Sequence, residues 1–201
     1  MATFDERAAT WDTPERRARA EAVAEAIRAG VPLTPATRAI EVGAGTGLLG
    51  LALLDDLGEL VLAEPSTGML EVAREKLAAL DDRRASAVRF DLLADEPPGP
   101  PFDLAISLLV LHHLRDTDRA LRAILGLVRS GGRIALVDLD TEDGTFHSEE
   151  AEGIYHLGFD RDDLATRAER AGFADMAFTT AAIDHEDGRD YPLFLLTAVR
   201  P

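Results

Sequence analysis

The fold is decided by the stretch Ile40-Glu41-Val42-Gly43-Ala44-Gly45-Thr46-Gly47-Leu48, a glycine-rich turn between two apolar runs. The run before the turn predicts a strand at residues 38–42, and the run after it predicts a helix at 48–57 that Gly58 closes. Glycines at such a corner allow tight turning and close approach of a ligand to the backbone. The first N–H groups of the following helix are then available to that ligand.

Outward from this turn, strands and helices alternate along the chain. Further strands are predicted at 59–63, 86–90, 102–107 and 133–138, and further helices at 14–28, 66–80, 118–128 and 160–171, with a turn at the glycine pair 131–132. The tail segments 175–182 and 191–199 predict an antiparallel hairpin. Five strand-helix units and a hairpin indicate a doubly wound α/β fold with a mainly parallel sheet. Ligands in such sheets bind at the carboxyl ends of the strands.

Composition bounds the class of protein. The 201 residues suit one domain, 46% of them are hydrophobic, and no apolar run approaches the roughly 18 residues that span a bilayer. The first residues carry charges and no apolar core, so we expect no signal peptide. The absence of cysteine excludes disulfides, thiolate zinc sites and cysteine nucleophiles, and it suits a cytoplasmic enzyme. The net charge of −16 disfavours nucleic acid as a partner, because binding to phosphates depends on basic side chains.

Two ligand classes compete for the glycine turn. Residues 45–50 also match the G-x-G-x-x-G pattern of nicotinamide-dinucleotide-binding folds, which is a weak signal when taken alone. Glu41 opposes that interpretation, because a carboxylate two residues before Gly43 is costly in a buried strand without a partner. The same carboxylate suits the positively charged methionine end of S-adenosylmethionine. A plain strand-turn-helix corner with no ligand is the third interpretation.

A second acidic residue follows the second predicted strand. Glu64 lies 17 residues beyond Gly47, close to the spacing of about 20 at which an acid reaches a ribose. A carboxylate can accept hydrogen bonds from both ribose hydroxyls. A solvated glutamate at a strand end is the alternative, and the glycine turn upstream weakens it.

These motifs together resemble the class I S-adenosylmethionine-dependent methyltransferases, in the subgroup similar to ubiquinone/menaquinone-biosynthesis enzymes. The resemblance covers residues 4–140 by motif and the rest by topology. The matching pieces are residues 4–12 (FDERAATWD), 41–47 (EVGAGTG), Glu64, Asp91-Leu92, Phe102-Asp103-Leu104, Leu111-His112-His113-Leu114 and 127–132 (LVRSGG). Their order is specific for a fold and a cofactor and says little about the substrate.

The resemblance implies a Rossmann-like seven-stranded sheet with a reversed final strand, and S-adenosylmethionine as cofactor. It implies that Glu41 and the glycine turn hold the methionine and ribose portions, and that Glu64 holds the ribose hydroxyls. Asp91 would accept a hydrogen bond from the adenine amino group, with Leu92 against the ring. The cofactor-binding residues that it implies are Trp11, Glu41, Gly43, Ala44, Gly45, Thr46, Gly47, Glu64, Pro65, Asp91, Leu92, Ser107 and Leu108.

Some of these positions carry alternatives. Either Ser107 or Leu108, at the tip of the fourth strand, would line the methionine side. Trp11 stands where many relatives carry tyrosine, and it either covers the cofactor or anchors the first helix. Ser130 replaces the proline usual before the glycine pair, a change that we expect to be tolerated because the position shapes a turn. Asp91 has the alternative of a simple turn aspartate.

The acceptor side is predicted from histidines and aromatic residues. His112 or His113 could act as a general base, which is needed only if the acceptor must lose a proton. We expect no metal, because adjacent histidines point differently and no third ligand follows at a recognisable spacing. A small pocket is predicted between Phe4 and Trp11, the histidine pair, and the segment 146–159. That segment contributes Phe146, His147, Tyr155, His156 and Phe159.

We therefore expect one methyltransferase domain over residues 1–201. Residues 1–35 form an N-terminal helical cap, 36–140 the cofactor-binding core, and 141–201 the acceptor-side segment and hairpin. The predicted function is methyl transfer from S-adenosylmethionine to a small-molecule acceptor by in-line displacement, without a nucleic acid or membrane partner. The alternatives are a non-catalytic cofactor-binding or scaffold protein and a nicotinamide-dependent oxidoreductase. The acceptor atom and the oligomeric state are not predicted.

Overall fold

A seven-stranded mixed sheet forms the centre of the computed structural model, which describes residues 3–80, 82–146, 153–186 and 188–201. The strands are β1 (Arg38–Val42), β2 (Glu59–Glu64), β3 (Ala85–Arg89), β4 (Phe102–Leu108), β5 (Val128–Leu139), β6 (Ala174–Glu186) and β7 (Arg189–Val199). The α-helices are α1 (Phe4–Arg7), α2 (Pro14–Gly30), α3 (Leu48–Leu53), α4 (Thr67–Leu80), α5 (Thr117–Leu127) and α6 (Arg161–Ala171). Three short 3₁₀ turns lie at Ala8–Thr10, Leu54–Asp56 and Leu111–His113.

The strand order is β3-β2-β1-β4-β5-β7-β6, which confirms the predicted fold class. Strands β1 to β5 pair in parallel, whereas β7 is antiparallel to both β5 and β6, so the C-terminal hairpin and the reversed strand are both present. The chain builds outward from β1 to β3 and then returns to place β4 on the other side of β1. The switch point between β1 and β4 is where such sheets bind ligands.

Two apolar layers cover the faces of the sheet, as the doubly wound prediction requires. Helices α2, α3 and α4 pack on one face, and α5 and α6 pack on the other. Successive residues of β1 alternate between them: Ile40 and Val42 belong to the α5–α6 layer, and Ala39 belongs to the α2–α4 layer. By the same alternation, Glu41 points toward α3.

Two element predictions are wrong in detail. The α-helix predicted at 48–57 ends at Leu53 and tightens into a 3₁₀ turn, because Leu54 and Leu57 must both be buried as the chain turns into β2. The predicted turn at 131–132 is a bulge inside β5. Phe102 pairs with Val128 and Leu104 with Arg133, so β5 accommodates three extra residues there. Backbone hydrogen bonds between Arg200 and the glycine pair hold the bulge in place.

Candidate active site

The glycine turn lies at the switch point, pressed against the end of β4. Gly43, Gly45 and Gly47 have φ values of 65°, 55° and 81°, a region that other residues enter at a cost. A Cβ on Gly43 would lie 2.6 Å from Cγ2 of Val110, and one on Gly47 would lie 2.7 Å from Cδ1 of Leu62. The glycines are therefore required by close packing as well as by conformation.

Glu41 is buried beneath this turn. Its Oε2 accepts a hydrogen bond from the backbone N–H of Gly50 at 2.9 Å, and only 3% of the residue is exposed. Gly47, at the N-cap of α3, has no side chain to cap the helix. The Glu41 carboxyl group thus serves as the missing cap from a neighbouring strand. Its predicted contact with the cofactor stays a prediction.

Burial raises the pKa of Glu41 to about 8, and the nearby Glu64 carboxylate adds to the shift, whereas the Gly50 N–H and the Lys76 ammonium oppose it. Glu41 is therefore mainly a neutral acid at pH 7 in the ligand-free protein. A carboxyl group without a full counter-charge resists ionisation in a dry site.

We expect Glu41→Gln to stabilise the ligand-free protein at high pH. The folded-state pKa lies above the unfolded value of 4.5, so wild-type stability falls as pH rises from about 4.5 through 8. The amide has no proton to lose, and the variant should gain roughly 3–5 kcal/mol over wild type by pH 8.5. Urea unfolding at pH 5 and pH 8.5 measures this difference. Glu75→Gln, at an exposed position on α4, is the control, and an unchanged gap between the two pH values would contradict the burial argument.

Glu64 ties the glycine turn to the end of β2. Its Oε2 accepts the Gly45 N–H at 2.7 Å, and its Oε1 accepts the Ser66 N–H at 2.8 Å. Burial raises the pKa of this carboxyl group, although both N–H donors lower it. The carboxylate predicted to meet a ribose thus lies directly on the turn, and Pro65 follows it at an exposed position.

The remaining predicted cofactor residues lie along the same edge of the sheet. Asp91 follows β3, and its Oδ1 accepts the Leu93 N–H at 2.9 Å, as expected of a turn aspartate. Leu92 is buried in the α5–α6 layer. Ser107 is 1% exposed, whereas Leu108 packs against the α2–α4 layer, so the two lie on opposite faces of the sheet. The predicted hydrogen bond from the adenine amino group to Asp91 stays a prediction.

Sequence reasoning missed the turn that follows Leu108. Leu109 has a φ of 57°, and its N–H donates to the Val137 carbonyl at 2.8 Å. A positive φ is unusual for a bulky residue such as leucine and costs conformational energy. Strain of this kind clusters at functional sites. The strained turn brings Val110 against Gly43 and places the histidine pair beyond it. The leucine itself carries no sequence signal for this conformation.

The N-terminal segment, residues 3–13, lies over the glycine turn. Trp11 points its Nε1 toward Gly45, 3.8 Å from the position that a Cβ there would occupy. The Arg16 guanidinium of α2 lies 3.9 Å from the centroid of the Trp11 ring. Both interpretations of Trp11 are therefore compatible with its position, because the ring covers the turn and also packs on α2. Phe4 joins Trp11 to His113, with ring centroids 5.7 and 5.4 Å away.

His112 forms a buried pair with Asp138 of β5. The Nδ1 atom lies 2.7 Å from Oδ1 of Asp138, and neither side chain is more than 1% exposed. The carboxylate also accepts the N–H groups of His112 and Leu139. A carboxylate can only accept a hydrogen bond, so the Nδ1 atom that faces it must carry the proton. In the neutral ring the lone pair is then on Nε2. Sequence reasoning placed Asp138 at the end of a strand but did not connect it to His112.

His113 has different surroundings. Its Nδ1 lies 2.9 Å from the Gly153 carbonyl, and its ring centroid is 4.1 Å from that of His112. Burial lowers the pKa of His113, and the neighbouring His112 and Arg7 lower it further. The Gly153 carbonyl and the Asp138 carboxylate oppose this shift, and the net direction favours the neutral ring of His113 at pH 7. The His112 Nδ1 atom has the buried carboxylate support typical of a general base.

The predicted acceptor segment is split by the structure. The N–H groups of Tyr155 and His156 both donate to the His112 carbonyl, so this part does border the histidine pair. Phe146 instead packs on Tyr191 of the hairpin, with ring centroids 5.2 Å apart. Phe159 is buried in the core, where its ring lies beside Phe194, so its predicted place in the pocket is wrong. His147 lies outside the described residues.

Two surface cavities lie away from this site. One, of about 370 Å³, is lined by residues 140–143 and 189–192, and the other, of about 290 Å³, lies at the opposite edge of the sheet near Arg129 and Arg133. The lining of each excludes the glycine turn and the histidine pair.

Among the helices in the described ranges, none has the length and apolar character needed to cross a membrane.

The comparisons with known proteins agree with this geometry. A family model described as a methyltransferase domain matches residues 40–134, from the glycine turn into β5. An uncharacterized methyltransferase of Geobacillus kaustophilus is 34% identical over 133 residues, which are 65% of this chain and 59% of the relative. The chain spans between 3% and 59% of the length of the curated relatives compared.

Solved structures share the fold at lower identity. A chain from the complex of the Haloferax volcanii Trm112 methyltransferase activator with a methyltransferase superimposes with a TM-score of 0.79 at 19% identity, covering 100% of this chain and 99% of that one. Phosphoethanolamine N-methyltransferase 2 of Haemonchus contortus, solved with S-adenosyl-L-methionine, gives 0.73 at 17% identity, covering 100% and 60%. The ubiquinone-like subgroup stays a prediction. Residues 40–134 therefore match a methyltransferase domain, the Geobacillus kaustophilus relative carries a methyltransferase name, and the seven-stranded fold is shared with solved methyltransferase structures.

Proposed function

We propose that the protein methylates a small-molecule acceptor that must lose a proton, with S-adenosylmethionine as methyl donor. The observation that carries the proposal is the buried His112–Asp138 pair, which lies just beyond the strained turn that contacts Gly43. A general base beside a cofactor turn has a use only when the acceptor carries a proton that hinders attack.

The residues of the turn fit the methyl donor. A Cβ on Gly45 would have only the Trp11 Nε1 atom within 4 Å, so a ligand can approach the backbone there, and the Glu64 carboxylate lies beside it. A positively charged ligand would lower the raised pKa values of the buried Glu41 and Glu64 carboxyl groups, and the ionised groups would in turn stabilise that ligand. When bound, S-adenosylmethionine supplies an already activated methyl group, so the protein mainly orients the partners and excludes water.

His112 is assigned the proton transfer. Nε2 is buried, so the acceptor must displace part of the covering N-terminal segment to reach it. The Nε2 lone pair then takes the acceptor's proton, and Asp138 holds the Nδ1–H and stabilises the imidazolium that forms. Phe4, whose ring contacts those of Trp11 and His113, supplies an aromatic wall near the pair. Such a wall suits a partly apolar small molecule.

The negative charge of the chain supports the prediction against nucleic acid, and its cysteine-free composition supports the prediction of a cytoplasmic location.

We expect Glu64→Ala to weaken cofactor binding by about 1–3 kcal/mol, the range for hydrogen bonds to a charged group. The substitution removes the ribose acceptor and also frees the Gly45 N–H that Glu64 holds. Titration calorimetry with S-adenosylhomocysteine measures the change. Glu75→Ala on the exposed face of α4 is the matched control, and wild-type affinity in the Glu64 variant would remove this residue from the site.

The experiment that tests the proposed function is a transfer assay with S-adenosylmethionine labelled in the methyl group. Separate pools of phenols, amines, thiols and carbon acids are compared with cell protein and with transfer RNA. The proposal expects label in a small-molecule pool. Label confined to protein or RNA would overturn the small-molecule acceptor, and no transfer to any pool would favour the non-catalytic alternative.

A further inference from the structure

The N-terminal segment is fastened to the glycine turn at one well-defined point. The Asp12 carboxylate lies 2.5 Å from Oγ1 of Thr46 and 2.5 Å from Nζ of Lys76. Lys76, on α4, also donates to the Thr46 carbonyl at 2.8 Å. Thr46 is therefore held at both its hydroxyl and its carbonyl, and it is 1% exposed. Charge-assisted hydrogen bonds of this kind are the strong ones.

A second contact lies at the other end of the segment. The Asp5 carboxylate accepts hydrogen bonds from the Ser66 hydroxyl at 2.6 Å and from the Gly68 N–H at 2.8 Å. The two aspartates thus span the stretch from the start of α4 to the glycine turn. Trp11, next to Asp12, is the part of the segment that lies on Gly45.

This placement has a consequence for ligand exchange. With Trp11 against the turn, a ligand on the backbone of Gly45 is covered by the segment, and it cannot leave along that direction while the segment stays fastened. The Asp5 contact is at the surface, whereas the Asp12 side chain is 13% exposed and Lys76 is 22% exposed. Asp12 is therefore the shielded attachment, and shielding from water strengthens an ion pair.

We propose that Asp12 is a positioning residue that latches the N-terminal segment onto the cofactor turn, so that the cofactor leaves only when the bonds from Asp12 to Thr46 and Lys76 break. The inference rests on the proposed function, because it takes the turn as the cofactor site. It assigns a role to Asp12 and Lys76, neither of which touches the reacting atoms.

The test is the dissociation rate of S-adenosylhomocysteine from the full chain, measured by surface plasmon resonance. Asp12→Asn should raise that rate about tenfold without slowing association, since a weaker latch opens more often. Thr46→Val removes the hydroxyl partner without changing charge and should raise the rate similarly. The double variant should dissociate about as fast as Asp12→Asn alone, because Asp12→Asn weakens the contacts of Asp12 to Thr46, Lys76 and Arg17, and Thr46→Val removes only the first of these. Glu21→Gln, an exposed acid on α2, is the control for the change in charge.

The possible outcomes distinguish failure of the latch from failure of the proposed function. A dissociation rate for Asp12→Asn within twofold of wild type would overturn the latch, as would effects that multiply in the double variant. Slower association with unchanged dissociation would show that Asp12 acts only through its charge. If thermal unfolding shows that Asp12→Asn is not folded, Lys76→Met takes its place. A wild-type protein that does not bind the probe would overturn the proposed function, and the latch with it.

Discussion

Replacing His112 by asparagine is expected to slow methyl transfer by about 10²–10⁴-fold, the range of general-base catalysis. The affinity for S-adenosylhomocysteine should stay within about twofold of wild type, because the proposed role of His112 is to take a proton from the acceptor. Asp138→Asn should also slow transfer, since an amide can donate to Nδ1 and so favours the wrong tautomer at Nε2. The rate is measured with whichever acceptor pool proves active.

The neighbouring histidine offers the matched control. His113 is one residue away, and its ring centroid lies 4.1 Å from that of His112, but its Nδ1 faces the Gly153 carbonyl, whereas the His112 Nδ1 faces Asp138. His113→Asn should therefore change the rate far less than His112→Asn. A larger loss of rate in the His113 variant would mean that His113, and not His112, takes the proton. Equal small losses of rate in both variants would mean that the protein positions its substrates and uses neither histidine as a general base.

Gly43→Ala is expected to damage the cofactor site most. The added methyl group meets Val110 at 2.6 Å, and the residue must keep a φ of 65°. Conformation costs about 1–2 kcal/mol and overpacking about 1–3 kcal/mol. Because relief of the clash moves the turn itself, affinity for S-adenosylhomocysteine should fall by about 10²-fold, at 1.4 kcal/mol for each factor of ten. Calorimetry measures the affinity, and urea unfolding measures the stability.

Two further substitutions control this experiment. Gly126, inside α5, has nothing within 4 Å of a Cβ, so Gly126→Ala should leave binding unchanged and stabilise the helix by about 1 kcal/mol. Adding Val110→Ala to Gly43→Ala removes the clash and should recover part of the affinity. No recovery in that double variant would mean that conformation, and not the contact with Val110, makes Gly43 necessary.

The fold could be predicted from local patterns. Apolar runs, caps and glycines are properties of neighbouring residues, and they placed β1 at residues 38–42 and the start of α3 at Leu48. The errors arose where tertiary packing overrides a local pattern. The helix after the glycine turn tightens at Leu54 to bury Leu57, and the glycines 131–132 form a bulge that Arg200 holds from the far end of the chain.

The candidate site could be predicted only in part. The glycine turn and Glu64 follow a spacing along the chain, and the structure brings them together. Asp138 and His112 are 26 residues apart, and Asp12 and Thr46 are 34 apart, without a motif that links either pair. Such contacts depend on which strands are neighbours and on how the N-terminal segment folds back. The buried cap that Glu41 provides to α3 also depends on packing across elements.

Titration calorimetry of the ligand-free protein tests the central claim most directly, namely that the turn at Gly43–Gly47 binds the methyl donor. We expect saturable binding of one S-adenosylmethionine or S-adenosylhomocysteine per chain. We expect no comparable heat with NAD, and loss of binding in Gly43→Ala. No detectable heat with either sulfur nucleoside at millimolar concentration would contradict it, as would tight binding of NAD at the same turn.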